Sequence, residues 1–431
     1  MFALKDELCA LKKPITIGVA GIGSIGRGIV FQAGITPGIR CVAIADCNVE
    51  RAVASAERFG MDYKMVGTLG ELEEAVHEGI LAVCEDGDLV ARSALIDVFI
   101  EATSSVSAGG RYGTTALEHN QHLIMMNYEA DLMFGSRLMQ LAMEKGLVYT
   151  VCDGDQPSVL RRLSDEMNFM GFELVMAGNI KGFLDRYANP TSIVPEADKR
   201  DLDYYMCTSY TDGTKLSVEM AVLANGLGLR TARSGMLGPR MTDVYEVFDH
   251  FDFESLWGGK TGLVDYILGA KPVGGVFAIG YCDYPYQKET LEWLPPRMGP
   301  GPFYLFYRPY HLCHFETMAT VAEAVLHHRP VLQPRYGFRT NVYAYAKKEL
   351  HAGETLDGIG GYTCYGVIEN CGDSGERPGL PICLSDGVTL RRNIPRDGRI
   401  LLEDVIYDPQ DYGFTLFQES VACARGASVL R

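Results

Sequence analysis

Val19-Ala20-Gly21-Ile22-Gly23-Ser24-Ile25-Gly26-Arg27-Gly28 decides the fold of this chain. The stretch closes an apolar run, Ile15 to Val19, that reads as a buried strand. It opens a helical run over Gly28 to Ala33. In the spacing G-x-G-x-x-G, Gly21 permits a tight turn and Gly23 lets a pyrophosphate approach the backbone. Gly26 lets helix and strand pack closely. The helix start, with Ser24 and Ile25, offers N–H groups and the positive end of its dipole to phosphate. Downstream, Cys41-Val42-Ala43-Ile44-Ala45-Asp46 reads as a second buried strand, with Asp46 standing 20 residues after Gly26. An acid there accepts hydrogen bonds from ribose hydroxyls. Strand, loop, helix and acid in register predict dinucleotide binding. The competing reading is an ordinary βαβ unit whose glycines serve packing alone. Asp46 repels a 2′-phosphate, so NAD is favoured over NADP. Arg51, one helical turn on, is the residue that would stack on adenine or reach a 2′-phosphate.

Working outward, strand and helix signals alternate. The spacing predicts a helix over Gly70 to Gly79 and strands over Leu81 to Cys84 and Asp97 to Thr103. A helix over Ala108 to Asn120 follows, then a strand over His122 to Asn127. Next come a helix over Asp131 to Lys145 and a strand over Leu147 to Cys152. Strands that are apolar throughout, joined by helices, predict a doubly wound parallel sheet covered on both faces, a Rossmann domain over residues 1–152. Residues 153–334 read as an α/β substrate and dimerisation domain. Its expected elements are a helix over Pro157 to Gly171, a strand over Phe172 to Ala177, a strand over Tyr204 to Tyr210 and a helix over Leu216 to Leu227. A Pro/Gly-rich break, Leu294 to Pro302, follows. The helix Glu316 to His328 is expected to pack back on the Rossmann domain. Residues 335–431 read as a small all-β domain of short strands with few helix signals, beginning with Val342 to Ala346. A polar loop is expected over Asn370 to Gly379.

With 431 residues, 47% hydrophobic content and a net charge of −16, nucleic acid and anionic membranes are excluded as expected partners. No apolar run reaches membrane-spanning length. Met1 to Lys13 has no apolar signal core, so the expected location is cytoplasmic. The twelve cysteines show no zinc spacing and read as reduced thiols, most of them buried, Cys41, Cys84, Cys152 and Cys207 among them.

The run of GIGSIGRGIV, IEATSS, MMNYEAD, DGDQPS, DGTKLSVEMAVLANGLGL and FYRPYHL covers most of the chain. It is closed by AYAKKELHAGETLDGIGGYTCYG and LPICLSDGVTLRRNIPRDGRILLEDV. In that order the motifs resemble the homoserine-dehydrogenase-like NAD(P)-binding oxidoreductases with a C-terminal SAF (β-clip) domain, the deoxyxylulose-5-phosphate reductoisomerase-like family. The resemblance implies an NAD(P)-dependent oxidoreductase and a homo-oligomer. The chain departs from the reductoisomerase-like pattern where a K-G-K-N-N-P run is expected. Gly178 to Pro190 keeps one lysine there, with several residues inserted. In homoserine dehydrogenases the strand end resembling Asn127-Tyr128-Glu129 reads N-K-A, and no lysine follows Asn127 here.

Hydride transfer requires the nicotinamide placed against the reacting carbon and a proton donor for the oxygen. Thr103 and Ser104, then Asn127 and Glu129, end sheet strands at the carboxyl edge and are expected beside the nicotinamide ribose. Glu129 reads equally as an acid favoured by a helix N-terminus. Lys181, on a loop after an apolar strand, is the first choice as catalytic proton donor, with a solvated loop lysine as the alternative. Lys215 is the second choice, paired at i, i+4 with Glu219, unless that pair lies on the surface. Asp155 is a general acid or base, a metal ligand, or the cap of the helix at Pro157. Asn189, Glu219 and Asn225 are expected to bind substrate. Arg308 is suited to a phosphate or carboxylate and His311 to proton relay, or both belong to an aromatic hinge. His314, His327 and His328 are assigned to structure.

The expected activity is carbonyl–alcohol interconversion on a small sugar or polyol phosphate. Isomerisation coupled to reduction of deoxyxylulose 5-phosphate is an alternative. It would need a divalent metal or an acid, with Asp155 and Glu129 as the candidates. A homoserine-type dehydrogenase is a second alternative, and a non-catalytic dinucleotide sensor a third.

Overall fold

The computed structural model describes residues 3–200, 202–294, 298–372 and 377–429. It divides into two compact units, Met1–Asp155 with Leu312–Gln333 and Thr415–Arg431, and Gln156–His311 with Pro334–Phe414.

The first unit is built on seven parallel strands: β1 (Ile15–Ala20), β2 (Ile39–Ala45), β3 (Tyr63–Met65), β4 (Leu81–Cys84), β5 (Val98–Glu101), β6 (His122–Met125) and β7 (Tyr149–Val151). They lie in the order β3-β4-β2-β1-β5-β6-β7. The order reverses between β1 and β5, the switch point of a Rossmann sheet. Ile17, Val19, Ile44, Val83, Val98, Ile100 and Ile124 are wholly buried. Each such side chain contributes about 1.5–3 kcal/mol. Helix Cys313–Leu326 packs on helix Ser24–Ile35 in this unit. Gly28 makes that approach possible, since a Cβ there would stand 2.5 Å from the His314 ring. His327 ties the helix Leu4–Cys9 to the same helix, its two ring nitrogens meeting Glu323 at 2.9 Å and Glu7 at 2.8 Å.

The second unit holds a mixed sheet, β11-β10-β8-β9, of β8 (Glu173–Lys181), β9 (Leu263–Leu268), β10 (Val276–Tyr281) and β11 (Phe303–Arg308). β8 runs parallel to β9 and antiparallel to β10. Helices Gln156–Phe169 and Thr214–Leu227 pack on each other and on this sheet. The hairpin β12 (Thr340–Ala346) and β13 (Cys364–Asn370) is fastened to helix Thr214–Leu227. Ser217 Oγ donates to the Gly366 carbonyl at 3.2 Å, and the Gly366 N–H donates to Thr214 Oγ1 at 2.8 Å. A buried ion pair at 2.8 Å joins Lys347, just after β12, to Asp212, the last residue of helix Tyr204–Asp212, whose Oδ1 accepts the Thr214 N–H at 2.8 Å. Lys347 Nζ also donates to the carbonyls of Ala188 and Gly361, each at 2.7 Å. The remaining short pair is β14 (Thr389–Leu390) with β15 (Val405–Ile406).

Three expectations are corrected. Tyr204 to Tyr210 is helical, not a strand: the helix runs Tyr204–Asp212. Asp203 caps it by accepting the Met206 N–H, and Gly213 ends it with φ 90°. The strand expected to stop at Ala177 continues to Lys181. Gly178 does not break it but fits it, because a Cβ there would stand 2.5 Å from the Asp265 carbonyl oxygen. The tail is not all-β. It ends in helix Tyr412–Val429, whose Leu416 meets Gly110 and whose Glu419 pairs with Arg137 at 3.2 Å, in the first unit. Of the loop expected over Asn370 to Gly379, residues 373–376 lie outside the described residues. Cys41, Cys84, Cys152 and Cys207 are buried as expected, and burial pushes the Cys41 and Cys84 thiols up to about 12. Among the described residues no helix is long and apolar enough to cross a membrane.

Replacing Lys347 by Met strands the buried Asp212 carboxylate and lowers unfolding free energy by about 3–5 kcal/mol. Adding Asp212→Asn recovers part of that loss. Urea melts of the single and double variants check both. Hydrogen bonds to Glu323 and Glu7 raise the His327 pKa. The helix Leu4–Cys9 is therefore held fully below His327's unfolded value of about 6.5 and released as pH rises through the higher folded value. Amide exchange in that helix should accelerate across this window, and not in a His327→Gln variant.

Candidate functional site

The glycine loop of the first unit is fixed from three sides. Gly21 has φ 90°, and a Cβ there would stand 2.5 Å from the Ala102 carbonyl and 2.6 Å from Thr103 N. A Cβ at Gly26 would lie 1.8 Å from the Gly21 carbonyl oxygen. Both glycines are therefore required by the backbone. Gly23 is different: a Cβ there meets nothing within 4 Å, so the backbone faces open space. Gly23 is also the N-cap of helix Ser24–Ile35 and supplies no side-chain hydrogen bond, which leaves the first-turn N–H groups of that helix without a side-chain cap. Ser24 is exposed beside it and Ile25 packs partly into the core. A bare helix start with an open backbone approach fits the pyrophosphate of a nicotinamide dinucleotide, NAD or NADP.

Asp46 is buried at the end of β2. Its Oδ2 accepts the Ile22 N–H of the glycine loop at 2.7 Å and its Oδ1 accepts the Asn48 N–H at 2.9 Å. The carboxylate thus clamps the loop while keeping lone pairs for a ribose hydroxyl. Arg51 Nη1 lies 3.8 Å from Oδ1.

Thr103 follows β5, its hydroxyl bonded within its own turn to Ser105, and Ser104 is exposed. Asn127 is a structural cap: Oδ1 accepts the Ala130 N–H at 3.0 Å and Nδ2 donates to the Ser105 carbonyl at 3.0 Å. Helix Tyr128–Glu144 begins earlier than expected, so Glu129 sits buried in its first turn. Asp155 is buried and immediately precedes helix Gln156–Phe169.

In the second unit the structure brings several predicted residues to one face of the mixed sheet. Glu219 and Lys215 lie one turn apart on helix Thr214–Leu227, and both are buried, so they are not a surface pair. Asn179 Nδ2 donates to Glu219 Oε2 at 3.1 Å. With its amide nitrogen turned toward Glu219, Gln156 donates to both carboxylate oxygens, at 2.5 and 3.0 Å. Asn179 Oδ1 is buried with no hydrogen-bond partner. Lys181 is half-buried at the end of β8, on the same face as Asn179 two residues before it. It belongs to the mixed sheet rather than to a loop at the edge of the parallel one. Asn225 is committed through both amide atoms to Thr340, Nδ2 to its carbonyl at 3.1 Å and Oδ1 from its N–H at 2.9 Å. Asn189 Oδ1 accepts the Thr191 and Ser192 N–H groups. Arg308 ends β11 and stacks on Tyr310 at 4.5 Å. His311 Nδ1 meets the Gly274 carbonyl at 2.7 Å.

Sequence reasoning missed Gln156, Asn179 and Glu101. The signal was present for two of them, since Asn179 and Glu101 are polar residues in otherwise apolar strands.

Residues 154–317 match the family described as oxidoreductase DRL, catalytic domain. The middle of the chain is thus similar to an oxidoreductase catalytic domain. No curated protein matches the chain. Among solved structures, similarity extends to a biliverdin reductase from Synechocystis sp. PCC 6803, in complex with biliverdin and NADP+. It is 16% identical with a TM-score of 0.29, covering 41% of this chain and 49% of that one. KijD10, a 3-ketoreductase from Actinomadura kijaniata, is 15% identical with a TM-score of 0.37, covering 73% of this chain and 90% of that one. A myo-inositol dehydrogenase from Lactobacillus casei is 17% identical with a TM-score of 0.37, covering 62% and 72%. The chain spans about half the length of the first of these.

Because nothing lies within 4 Å of a Cβ at Gly23, Gly23→Val should cost no more stability than a poor N-cap residue does, about 1 kcal/mol. It should still lower dinucleotide affinity at least about tenfold, or ~1.4 kcal/mol. Thermal melts and NADH fluorescence titrations of the same preparation read the two effects separately.

Proposed function

We propose that the chain is an NAD(P)-dependent oxidoreductase that interconverts a carbonyl and an alcohol on a small sugar or polyol phosphate. The observation that carries this reading is the helix start at Gly23, bare of any side-chain cap and open to an approaching phosphate. The similarity of residues 154–317 to an oxidoreductase catalytic domain supports it independently.

The bound nicotinamide supplies or accepts the hydride. The residues of the chain do the rest. Asp46 receives the adenosine ribose, with NAD preferred over NADP by its charge, and the first turn after Gly23 receives the pyrophosphate. In the second unit the Glu219 carboxylate, fixed by Asn179 and Gln156, holds its place one turn from Lys215. Lys181 gives its Nζ proton to the oxygen that becomes the alcohol, and Lys215 stabilises negative charge on that oxygen. Arg308 is read as the group that takes the substrate phosphate through its fork. The β12–β15 segment is read as SAF-like, and its attachment to helix Thr214–Leu227 gives it a part in holding the lysine and the glutamate in place.

Lys181→Met and Lys215→Met should each lower turnover about 10²–10⁴-fold. NADH affinity should be unchanged in both. Steady-state assays over a panel of sugar and polyol phosphates, with parallel NADH titrations, check this. Wild-type turnover by both variants would remove the lysines from the mechanism. Dinucleotide binding without turnover of any substrate in the panel would favour a sensor.

A further inference from the structure

Glu101 ends β5 with its carboxyl wholly buried. Oε1 accepts the Thr103 N–H at 3.0 Å, and Oε2 is enclosed with no hydrogen-bond partner. A Cβ at Gly109 would stand 3.2 Å from both Oε2 and the Asn127 amide nitrogen, and 2.7 Å from the Ala130 Cβ. The carboxyl therefore sits where the turn after β5, the first turns of helix Val106–Glu118 and the start of helix Tyr128–Glu144 converge. On the far side of the same turn, Gly21 of the dinucleotide loop presses against Ala102 and Thr103.

We propose that Glu101 is a positioning residue of the dinucleotide site, holding the Ala102–Ser105 turn and Asn127 in the shape that the nicotinamide half of the coenzyme requires. The inference rests on the dinucleotide reading of this unit. A buried acid can do this only in its neutral form, because an unpaired anion there would have to be rehydrated and would pull the turn apart. Burial pushes Glu101 up to about 8; the hydrogen bond from Thr103 opposes the shift, and the charge of Glu129 adds to it. The other titratable group coupled to it is Tyr149 of β7, whose hydroxyl donates to Asp131, on the same helix as Glu129. Burial pushes Asp131 up to about 7. From helix Val106–Glu118 the facing residue is Gly109.

Glu101→Gln keeps the shape and the acceptor for Thr103 but has no proton to lose. Asp131→Asn removes the neighbouring titration and leaves Glu101 intact. NADH affinity is to be measured by fluorescence titration on the full chain between about pH 7 and about pH 9, with thermal melts confirming folded protein. Affinity of the wild type should fall about tenfold over that range, as loss of one required proton demands. The Asp131→Asn variant should fall likewise, and Glu101→Gln should stay level within about twofold. A wild-type affinity that is level, or a Glu101→Gln profile that follows the wild type downward, overturns the proposal. Absence of NADH binding by folded wild type at every pH overturns the dinucleotide reading first, and this proposal with it.

Discussion

Gly21 stands so close to the backbone of Ala102 and Thr103 that no side chain fits between them. Much of the first unit's chemistry depends on that approach. It brings the end of β1 against the end of β5, the two strands on either side of the point where the sheet order reverses. Gly26 repeats the constraint one turn later, against the Gly21 carbonyl. Asp46 completes it from β2 by accepting the Ile22 N–H. Three strand ends are thereby fastened around a helix start, and only Gly23 is left facing open space. The loop is rigid where the fold needs it and bare where a phosphate would lie.

The second unit solves a different problem. It buries charged groups and must give each of them partners, because an unpaired buried charge costs several kcal/mol. Lys347 answers Asp212 and two carbonyls. Glu219 answers Asn179 and Gln156. The first of these fastens the β12–β13 hairpin to Asp212, which in turn accepts the first N–H of helix Thr214–Leu227, and the second fixes the middle of that helix against β8. The same helix carries Lys215. The C-terminal strands thus help set the position of a candidate catalytic lysine through ordinary packing and hydrogen bonds.

The parallel sheet was legible in the sequence because its strands are apolar on both faces and the glycine spacing marks the switch point. The loop residues Gly21, Gly23, Gly26 and Asp46 could be given separate roles for the same reason. What could not be read depends on contacts distant in sequence. Gly178 looks like a strand end until Asp265 and Phe277 are seen against it. The amide of Asn225 meets Thr340, 115 residues away, at both ends, a contact no local pattern announces. Tyr204 to Tyr210 alternates like a strand, yet the Asp203 cap and the glycine at 213 bound a helix, and those two end signals outweigh the alternation. The last helix was lost among short β segments because its buried face, including Phe414 and Leu416, is narrow. Glu101 is a lone acid in an apolar strand, and its burial is set by Gly109 and Asn127, which lie outside that strand.

The central claim is that the first unit holds a nicotinamide dinucleotide at the bare start of helix Ser24–Ile35. Isothermal titration of the full chain with NAD, NADH, NADP and NADPH tests it most directly. The account predicts saturable one-to-one uptake of at least one of the four, with the non-phosphorylated pair bound more tightly. Folded protein that takes up none of them would contradict it.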